Sequence, residues 1–265
     1  MKLKDKVRYP FVMLLTVVFS FGIISASAIA AEYDVYGKIE SFTWKEYSDS
    51  DSQLLKESGP IYGLGGSAKS NITESLTLKF KGELFLGSID YDGQTQAGTP
   101  VKTDTDYFGF KIEGDTGWKF MVAEKSSLEP FAGLGYRWWL RDIQSTGNAI
   151  GYEETWWSFY ARLGIHGDHT FSDQLKAFAE AGVKLPIHTE NEIDLSVIGL
   201  STITVEPGNK ASVFAEIGLK WTVLKASVFY EGMRFSKSGL DDVYDAFRQP
   251  ESKADIFGVN VGVSY

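Results

Sequence analysis

Hydrophobic and polar residues alternate strictly from Leu76 to Leu86, a stretch that reads LTLKFKGELFL. Leucines and Phe80 occupy the even positions, whereas Lys79, Lys81 and Glu83 occupy odd ones. Because successive side chains of a β-strand point to opposite faces, the pattern predicts a strand with one apolar and one charged face. The run is longer than the ~5–6 residues of a typical soluble strand and matches the ~9–11 residues that a tilted strand needs to cross a bilayer.

The same alternation recurs along the chain and predicts ten strands. They are 33–47, 60–70, 74–91, 104–120, 128–142, 153–167, 173–187, 210–221, 224–236 and 254–265. An even number of strands returns both ends of the chain to one side of a membrane. The segment from Ile193 to Val205 has an alternation of its own and could extend a hairpin above the membrane, so eight and twelve strands are alternatives.

The predicted connections are short and long in turn. Short ones fall at 71–73, 121–127, 168–172 and 222–223, and long polar ones at 48–59, 92–103, 143–152, 188–209 and 237–253. Short turns on one rim and long loops on the other are typical of bacterial outer-membrane barrels. The sequence therefore predicts an all-β fold, a closed antiparallel up-and-down transmembrane β-barrel of ten strands.

Aromatic residues are concentrated near both ends of the predicted strands. Amphipathic rings collect at the two membrane–water interfaces, so we expect two aromatic belts. The belt at the long-loop end would contain Trp44, Tyr47, Tyr91, Trp138, Trp139, Trp156 and Trp157, and the belt at the short-turn end would contain Trp118, Phe120, Trp221 and Tyr265.

Charged residues share the parity opposite to the apolar face, which points them into the barrel. Both signs are interspersed among them, and ten strands enclose far less space than the 16–18 strands of a porin. We therefore expect a narrow lumen closed by ion pairs. The predicted inward residues are Lys79, Lys81, Glu83, Lys111, Glu113, Glu129, Arg137, Arg162, Lys176, Glu180, Lys184, Glu216, Lys220, Lys225 and Glu231.

The first thirty residues have the pattern of a secretory signal peptide. Four basic residues precede an uncharged and mostly apolar run from Phe11 to Ile24, and small residues follow around Ala28 and Ala30. The run is shorter than the ~20 apolar residues of a membrane-spanning helix. We predict cleavage near Ala30, which leaves residues 31–265 as the barrel domain.

Composition excludes several kinds of site. The chain has no cysteine and only three histidines, so it offers no disulfide, thiolate or zinc-finger chemistry, and we expect no metal and no cofactor. Its 35 acidic and 26 basic residues give a net charge of −9, which argues against a nucleic-acid partner.

The signal sequence, the repeated hairpins and the last segment, FGVNVGVSY ending at Tyr265, resemble bacterial outer-membrane β-barrel proteins. The resemblance covers residues 32–265. It implies an outer-membrane location, contact with outer-membrane lipid and lipopolysaccharide, and recognition of the last strand by the barrel assembly machinery.

Within that group, the ten strands and the loop order resemble the omptins, which are outer-membrane proteases. The family joins an Asp pair at one external loop to an Asp/His pair at another, and the matching residues here are Asp90 with Asp92 and His188 with Glu190. The resemblance implies general-base hydrolysis by these four residues. The sequence departs from the family pattern because Pro186 stands where an Asp should precede the histidine.

The sequence thus leaves several functions open. We expect a non-enzymatic binding or structural envelope protein whose external ligand is unknown. Acidic residues in the long loops, which would suit a cationic partner, are Asp49, Asp51, Asp104, Asp106, Asp241, Asp242 and Asp245. The alternatives are an omptin-like protease and a small-solute channel.

Overall fold

The computed structural model describes residues 31–95, 97–147 and 149–265, so the signal peptide predicted for residues 1–30 lies outside the described part of the chain. The described residues form thirteen strands and one short 3₁₀ turn. The strands are β1 (Ala31–Tyr47), β2 (Gln53–Asn71), β3 (Leu76–Gln94), β4 (Pro100–Trp118), β5 (Phe120–Ala123), β6 (Ser126–Ile143), β7 (Glu153–Ser172), β8 (Leu175–Asp194), β9 (Ile203–Val205), β10 (Gly208–Asn209), β11 (Ser212–Trp221), β12 (Leu224–Ser236) and β13 (Glu251–Ser264).

Ten of these strands close into one antiparallel ring, in the order β1-β2-β3-β4-β6-β7-β8-β11-β12-β13. The ring closes because β13 pairs with β12 on one side and with β1 on the other. The remaining three strands lie outside the ring: β5 pairs with β6, β9 with β8 and β10 with β12. The predicted ten-stranded barrel is confirmed, and the alternatives of eight and twelve strands are wrong.

The predicted assignment of faces also holds in β3. Glu83 is buried, whereas Leu84 and Leu86 on either side of Phe85 are exposed on the outer wall. Lys79 and Lys81 reach Glu180 and Glu216, which come from β8 and β11 across the lumen. Apolar side chains thus cover the outer wall because each strand repeats with a period of two residues.

Most strands are longer, and several connections shorter, than the sequence suggested. The connections predicted at 48–59 and 92–103 are only residues 48–52 and 95–99, and β8 continues to Asp194. The prediction began the second strand at Pro60, yet β2 already begins at Gln53 and runs through this proline. The ladder between β2 and β3 is interrupted there, between Ser58 and Tyr62, since proline has no N–H to donate.

Four of the seven aromatic residues expected in the belt at the long-loop end lie in the core instead. Trp44, Tyr91, Trp139 and Trp156 point inward and are buried, because neighbours such as Trp138 and Trp139 occupy opposite faces of one strand. The outward rings are those of Tyr47, Trp138 and Trp157. Inward residues in this half of the barrel form its main apolar core, together with Phe42, Ile61, Phe85, Ile89, Tyr107, Met233 and Phe235.

The segment from Ile193 to Val205 extends a hairpin beyond the ring, as one of the sequence alternatives held. Asn191 pairs with Val205 and Ile193 with Ile203. Ile193, Leu195, Ile203 and Val205 form a second small apolar core, against which Leu200 and Phe247 pack. The long loops therefore pack on a small hydrophobic core of their own.

Candidate functional site

Ion pairs cross the middle of the lumen. Glu231 of β12 pairs with Lys111 (2.6 Å), Arg137 (3.1 Å) and Lys184 (2.8 Å). Lys184 also reaches Glu113 of β4, at 3.0 Å. β4 and β12 stand on opposite sides of the ring, so these contacts bridge the lumen instead of lining it.

The network continues towards the short-turn end. Arg162 pairs with Glu113 (2.7 Å), Asp115 (3.0 Å) and Glu180 (3.1 Å). Lys38 and Lys111 each lie 3.0 Å from Glu83. Buried charges are tolerated when opposite charges and hydrogen bonds satisfy them, and this network has both signs in every cluster. The ion-paired lumen expected from the sequence is present.

The space left in the lumen is small. A cavity near the short-turn end, beside Lys79 and His166, has a volume of about 60 Å³, and one beside Lys111 and Phe214 has a volume of about 30 Å³. Because one water needs ~10–15 Å³ by such a measure, these cavities hold a few waters and no organic solute.

Closer to the long loops, one arginine meets three glutamates. Arg141 lies 2.7 Å from Glu57, 2.7 Å from Glu154 and 3.2 Å from Glu46, and all four side chains are buried. Every carboxylate in this group has a further donor. The donors are Tyr107 and Thr105 to Glu57, Trp156 to Glu154, and Trp44 and Gln249 to Glu46.

Aromatic rings surround this charged group. Trp139 stacks on Trp156 with ring centroids 5.3 Å apart, and Trp44 contacts Trp156 edge-on at the same distance. Phe235 completes the cluster, 5.6 Å from Trp156. We refer to the four charged residues and these four rings as the upper plug. It closes the lumen a second time, above the crossing ion pairs.

Sequence reasoning missed the upper plug. Arg141 and Glu154 lie within the predicted strands 128–142 and 153–167 and have the parity predicted to point inward, yet neither was among the predicted inward residues. Glu57 was missed because it fell in a predicted loop. The convergence of three glutamates on one arginine depends on pairing between distant strands, which one sequence does not reveal.

The two acidic residues proposed for hydrolysis lie on β3 and not in a loop. Asp90 and Asp92 both point outward and are exposed. Asp92 pairs with Lys102, at 3.1 Å, and Asp90 stands opposite Asp104 in the β3–β4 ladder. They belong to the outer wall of the barrel.

The other proposed pair lies on the outer wall of β8. His188 Nε2 is 3.7 Å from Glu190 Oε2, and its ring packs on Trp157 with centroids 4.8 Å apart. Three strands, β4, β6 and β7, separate β8 from β3 along the wall, which is about 19 Å at a strand spacing of ~4.8 Å. The structure brings His188 to Glu190 but not to Asp90 or Asp92, so the geometry gives the omptin-like hydrolase no support.

Several acids assigned to loops have structural roles. Asp104 and Asp106 lie on β4. Asp49 pairs with Lys237 at 2.9 Å and Arg248 at 3.0 Å; hydrogen bonding by Lys237 and the charge of Arg248 lower its pKa. Asp51 and Asp245 adopt left-handed backbone angles, φ 59° and 51°, at turns where Asp is tolerated.

Asp241 organises the loop between β12 and β13. One carboxylate oxygen accepts the backbone N–H groups of Val243 and Tyr244, and the other accepts those of Ala246 and Phe247. Burial alone would raise its pKa, but the four donors outweigh this effect and lower the pKa of Asp241 to about 2. The carboxylate of Asp241 therefore has a structural role, because its hydrogen bonds hold the conformation of the loop.

Two loops join into what we call the loop cap, residues 195–202 and 238–249. The backbone N–H of Ser201 donates to the Tyr244 hydroxyl at 2.7 Å, and Asn191 at its base donates to Gln249 at 3.1 Å. Gln249 in turn donates to Glu46 in the upper plug, at 3.0 Å. Exposed large apolar side chains on the cap are Val197, Ile198, Leu240, Val243 and Tyr244.

Comparison of the sequence with known protein families agrees with the barrel fold. Residues 46–230, more than half of the chain, match the family described as the autotransporter β-domain. The chain belongs to the autotransporter β-domain family. No curated protein matches the sequence significantly.

Several solved outer-membrane proteins are similar to this autotransporter β-domain over most of its length. Outer membrane protease OmpT from Escherichia coli superposes with a TM-score of 0.59 at 11% identity, over 91% of this chain and 99% of that one. The β-domain of the Bordetella autotransporter BrkA superposes with a TM-score of 0.41 at 13% identity, over 86% of this chain and 98% of that one. An outer membrane channel from Pseudomonas putida F1 superposes with a TM-score of 0.42 at 11% identity, over 92% of this chain and 98% of that one. At such identities the likeness concerns the fold alone.

The family and the fold place this autotransporter β-domain in the bacterial outer membrane. Its short turns then lie at the periplasmic rim and its loop cap outside the cell. Across residues 31–95, 97–147 and 149–265, no helix has the length and apolar character to cross a membrane. In the same part of the chain, no three or more His, Asp or Glu side chains are grouped to hold a metal ion.

Proposed function

We propose that this autotransporter β-domain is a non-conducting binding protein of the outer membrane and that the loop cap is its binding surface. The observation that carries the proposal is the exposure of five large apolar side chains on two interlocked loops. Binding sites are commonly built from loops that a rigid scaffold positions, and contiguous exposed apolar side chains mark interaction surfaces.

The rigidity of the cap supports this role. Loops that hold one another through Tyr244 and Ser201, and that rest on Gln249 and the upper plug, lose little conformational entropy when a partner binds. The filled lumen favours binding over transport, since both layers of the barrel interior are occupied by paired or packed side chains.

The chemistry of the cap favours a partner with apolar groups. The sequence suggested a cationic partner for acidic loops, but Asp49 and Asp241 are satisfied within the protein. Leu240 and Val243 flank Asp241 and Asp242 and are about half exposed. We therefore infer that a peptide or protein surface with apolar side chains fits the cap better than a purely cationic ligand.

Export and assembly belong to the same proposal. The signal-like segment 1–30 would direct export, and β13 would be recognised by the barrel assembly machinery. The position of β13 supports the second point, because this strand completes the ring and presents Phe257, Val259 and Val261 outward before Tyr265. Outer-membrane lipid and lipopolysaccharide are the expected surroundings of that apolar wall.

The test uses the barrel reconstituted in lipid nanodiscs and a phage-displayed random peptide library as the probe. Peptides enriched on the parent protein should bind the Leu240→Ser, Val243→Ser double variant about tenfold more weakly, because truncated interface anchors cost ~1–2 kcal/mol. The matched control is Ile150→Ser, since Ile150 is as exposed as Val243 but lies outside the cap. Equal peptide binding by the parent and the double variant would refute the assignment of the cap.

A further inference from the structure

The outer wall carries four cations side by side. Arg234 of β12 stands opposite Lys253 of β13, Lys253 opposite Lys45 of β1, and Lys45 opposite Lys56 of β2. We refer to these four residues as the cation row. All of them point outward, because the residues next to them, such as Glu46, Glu57, Phe235 and Ala254, are buried in the lumen.

Such a row is unfavourable in isolation. Like charges directly opposite one another on paired strands destabilise the pairing, and the cation row contains three consecutive pairs of this kind. An anion nearby would relieve this repulsion.

The protein supplies anions to only part of the row. Arg234 pairs with Asp255, and Lys253 lies over the ring of Tyr47 at 4.2 Å. Asp92 continues the row beside Lys56, but it pairs with Lys102.

Lys45 and Lys56 at the other end make no direct contact with an anionic side chain. Neither lysine has a hydrogen bond or ion pair with another side chain in the part of the chain that the structure describes. An anion from outside the protein can therefore bind two ammonium groups, which lie on adjacent strands.

The row stands at the depth of lipid headgroups. Phe257, which is exposed on the apolar wall, follows Lys253 by four residues on β13, or about 13 Å along the strand. With strands tilted by ~35–45°, the height difference is about 10 Å. Beneath the row, Ile39 of β1 and Val259 of β13 continue the apolar wall. A ligand that touches both surfaces is amphiphilic, with an anionic head and apolar chains.

We propose that the cation row binds the phosphate groups of an outer-leaflet lipid whose acyl chains lie along β13 and β1. Lysine ammonium groups form short charge-assisted hydrogen bonds with phosphate oxygens, and a lipid with two phosphates would neutralise both Lys45 and Lys56. This site is on the side wall, separate from the loop cap, and does not depend on what the cap binds.

The opposite side of the barrel explains why the lipid would be held on one side only. There, Asp106, Asp142, Glu153 and Asp194 stand in register on β4, β6, β7 and β8. This acid row lies across the ring from the cation row. It repels lipid phosphate, and it is also the surface that a second copy of the chain would offer to the cation row.

The test is native mass spectrometry of the full barrel in detergent micelles, titrated with diphosphoryl lipid A. The parent is compared with the Lys45→Gln, Lys56→Gln double variant. The matched control is Lys119→Gln, Lys125→Gln, which removes the same charge at the periplasmic rim. We expect about tenfold weaker lipid binding by the double variant, no change in the control, recovery with Lys45→Arg, Lys56→Arg, and weakening of parent binding by salt.

Other outcomes would overturn the proposal. Equal binding by the parent and the double variant would show that the row is not the site. Equal binding of lipid A stripped of its phosphates would show that acyl chains alone decide, and saturation of the row by inorganic phosphate would indicate a free-anion site. Dimers that crosslink Lys45 to Asp142 would instead identify a second copy as the occupant. Gel mobility of the folded barrel confirms that each variant folds.

Discussion

At the scale of single residues, Arg141 is central to the stability of the barrel interior. Its guanidinium is the cation closest to three buried carboxylates, and its Nε, Nη1 and Nη2 atoms are all engaged. Such a group is stable only when it is complete, because an unpaired buried carboxylate loses its hydration without compensation. The tight packing of Trp44 and Trp156 around it leaves little room for water.

We therefore expect Arg141→Met to destabilise the folded barrel by about 3–5 kcal/mol. The measurement is urea unfolding in lipid vesicles, followed by tryptophan fluorescence and by the gel mobility of the folded form. The control is Arg248→Met, which removes a half-exposed arginine paired with Asp49 and should change stability by less than ~1 kcal/mol. Similar losses in the two variants would contradict the importance of the buried cluster.

Asp241 provides a prediction on pH. Its pKa is lowered to about 2 in the folded loop, against an ordinary value near ~4. A carboxylate with a depressed folded pKa adds stability that is present above the unfolded pKa and disappears as the pH falls through the folded one. The loop should thus lose order between about pH 4 and pH 2.

This transition can be followed by NMR through the amide resonances of Val243, Tyr244, Ala246 and Phe247, which donate to Asp241. In Asp241→Asn the same resonances should be shifted already at neutral pH and should not titrate in this range. Asp242→Asn serves as the neighbouring control and should behave like the parent. Titration of these amides near pH 4 in the parent would speak against the four-donor arrangement.

At the scale of elements, neighbouring strands pack closely on the lumen side because an aromatic ring on one strand lies over a glycine on the next. The ring of Tyr160 on β7 lies against Gly135 on β6, where an added Cβ would come within 2.3 Å of a ring carbon. Tyr160 also donates to Glu113 at 2.8 Å, so the glycine positions a member of the ion network. Other pairs of this kind are Tyr36 with Gly65, Phe85 with Gly109, Phe131 with Gly164, Phe178 with Gly218, Phe214 with Gly182 and Phe229 with Gly258.

Gly135→Ala should consequently cost about 1–3 kcal/mol, because the methyl group displaces Tyr160 and overpacks the lumen. Gly82→Ala is the matched control. Gly82 lies on the outer face of β3, where a Cβ would have no heavy atom within 4 Å, and alanine restricts the unfolded chain. Urea midpoints of the two variants should therefore differ, and a Gly135→Ala midpoint equal to the parent's would argue against this fit.

Strand identity and facing were predictable from the sequence because both follow from a period of two residues. The ten strands, the inward charges and the hairpin from Ile193 to Val205 were obtained in this way. Strand ends were not, since turn residues such as Pro60 also occur within long barrel strands. The upper plug and the loop cap depend on which strand stands beside or across from which, so their contacts became visible only in the closed ring.

At the scale of the whole molecule, two barriers in series block the lumen. The crossing ion pairs around Glu231 form one, and the upper plug around Arg141 and Trp139 forms the other. Each is anchored on strands from opposite sides of the ring, so the barriers also brace the barrel. A solute would have to break both to cross.

Two barriers in series give a distinct prediction for conductance in planar bilayers. The parent should show no discrete current steps, and the Lys111→Met, Glu231→Met variant, which weakens only the middle barrier, should show none either, because the upper plug still excludes ions. Trp139→Ala, which weakens only the upper plug, should likewise stay silent since the crossing ion pairs remain. Discrete steps from the parent would support the small-solute channel that the sequence left open. Steps from one single-barrier variant alone would mean that the other layer does not seal the lumen.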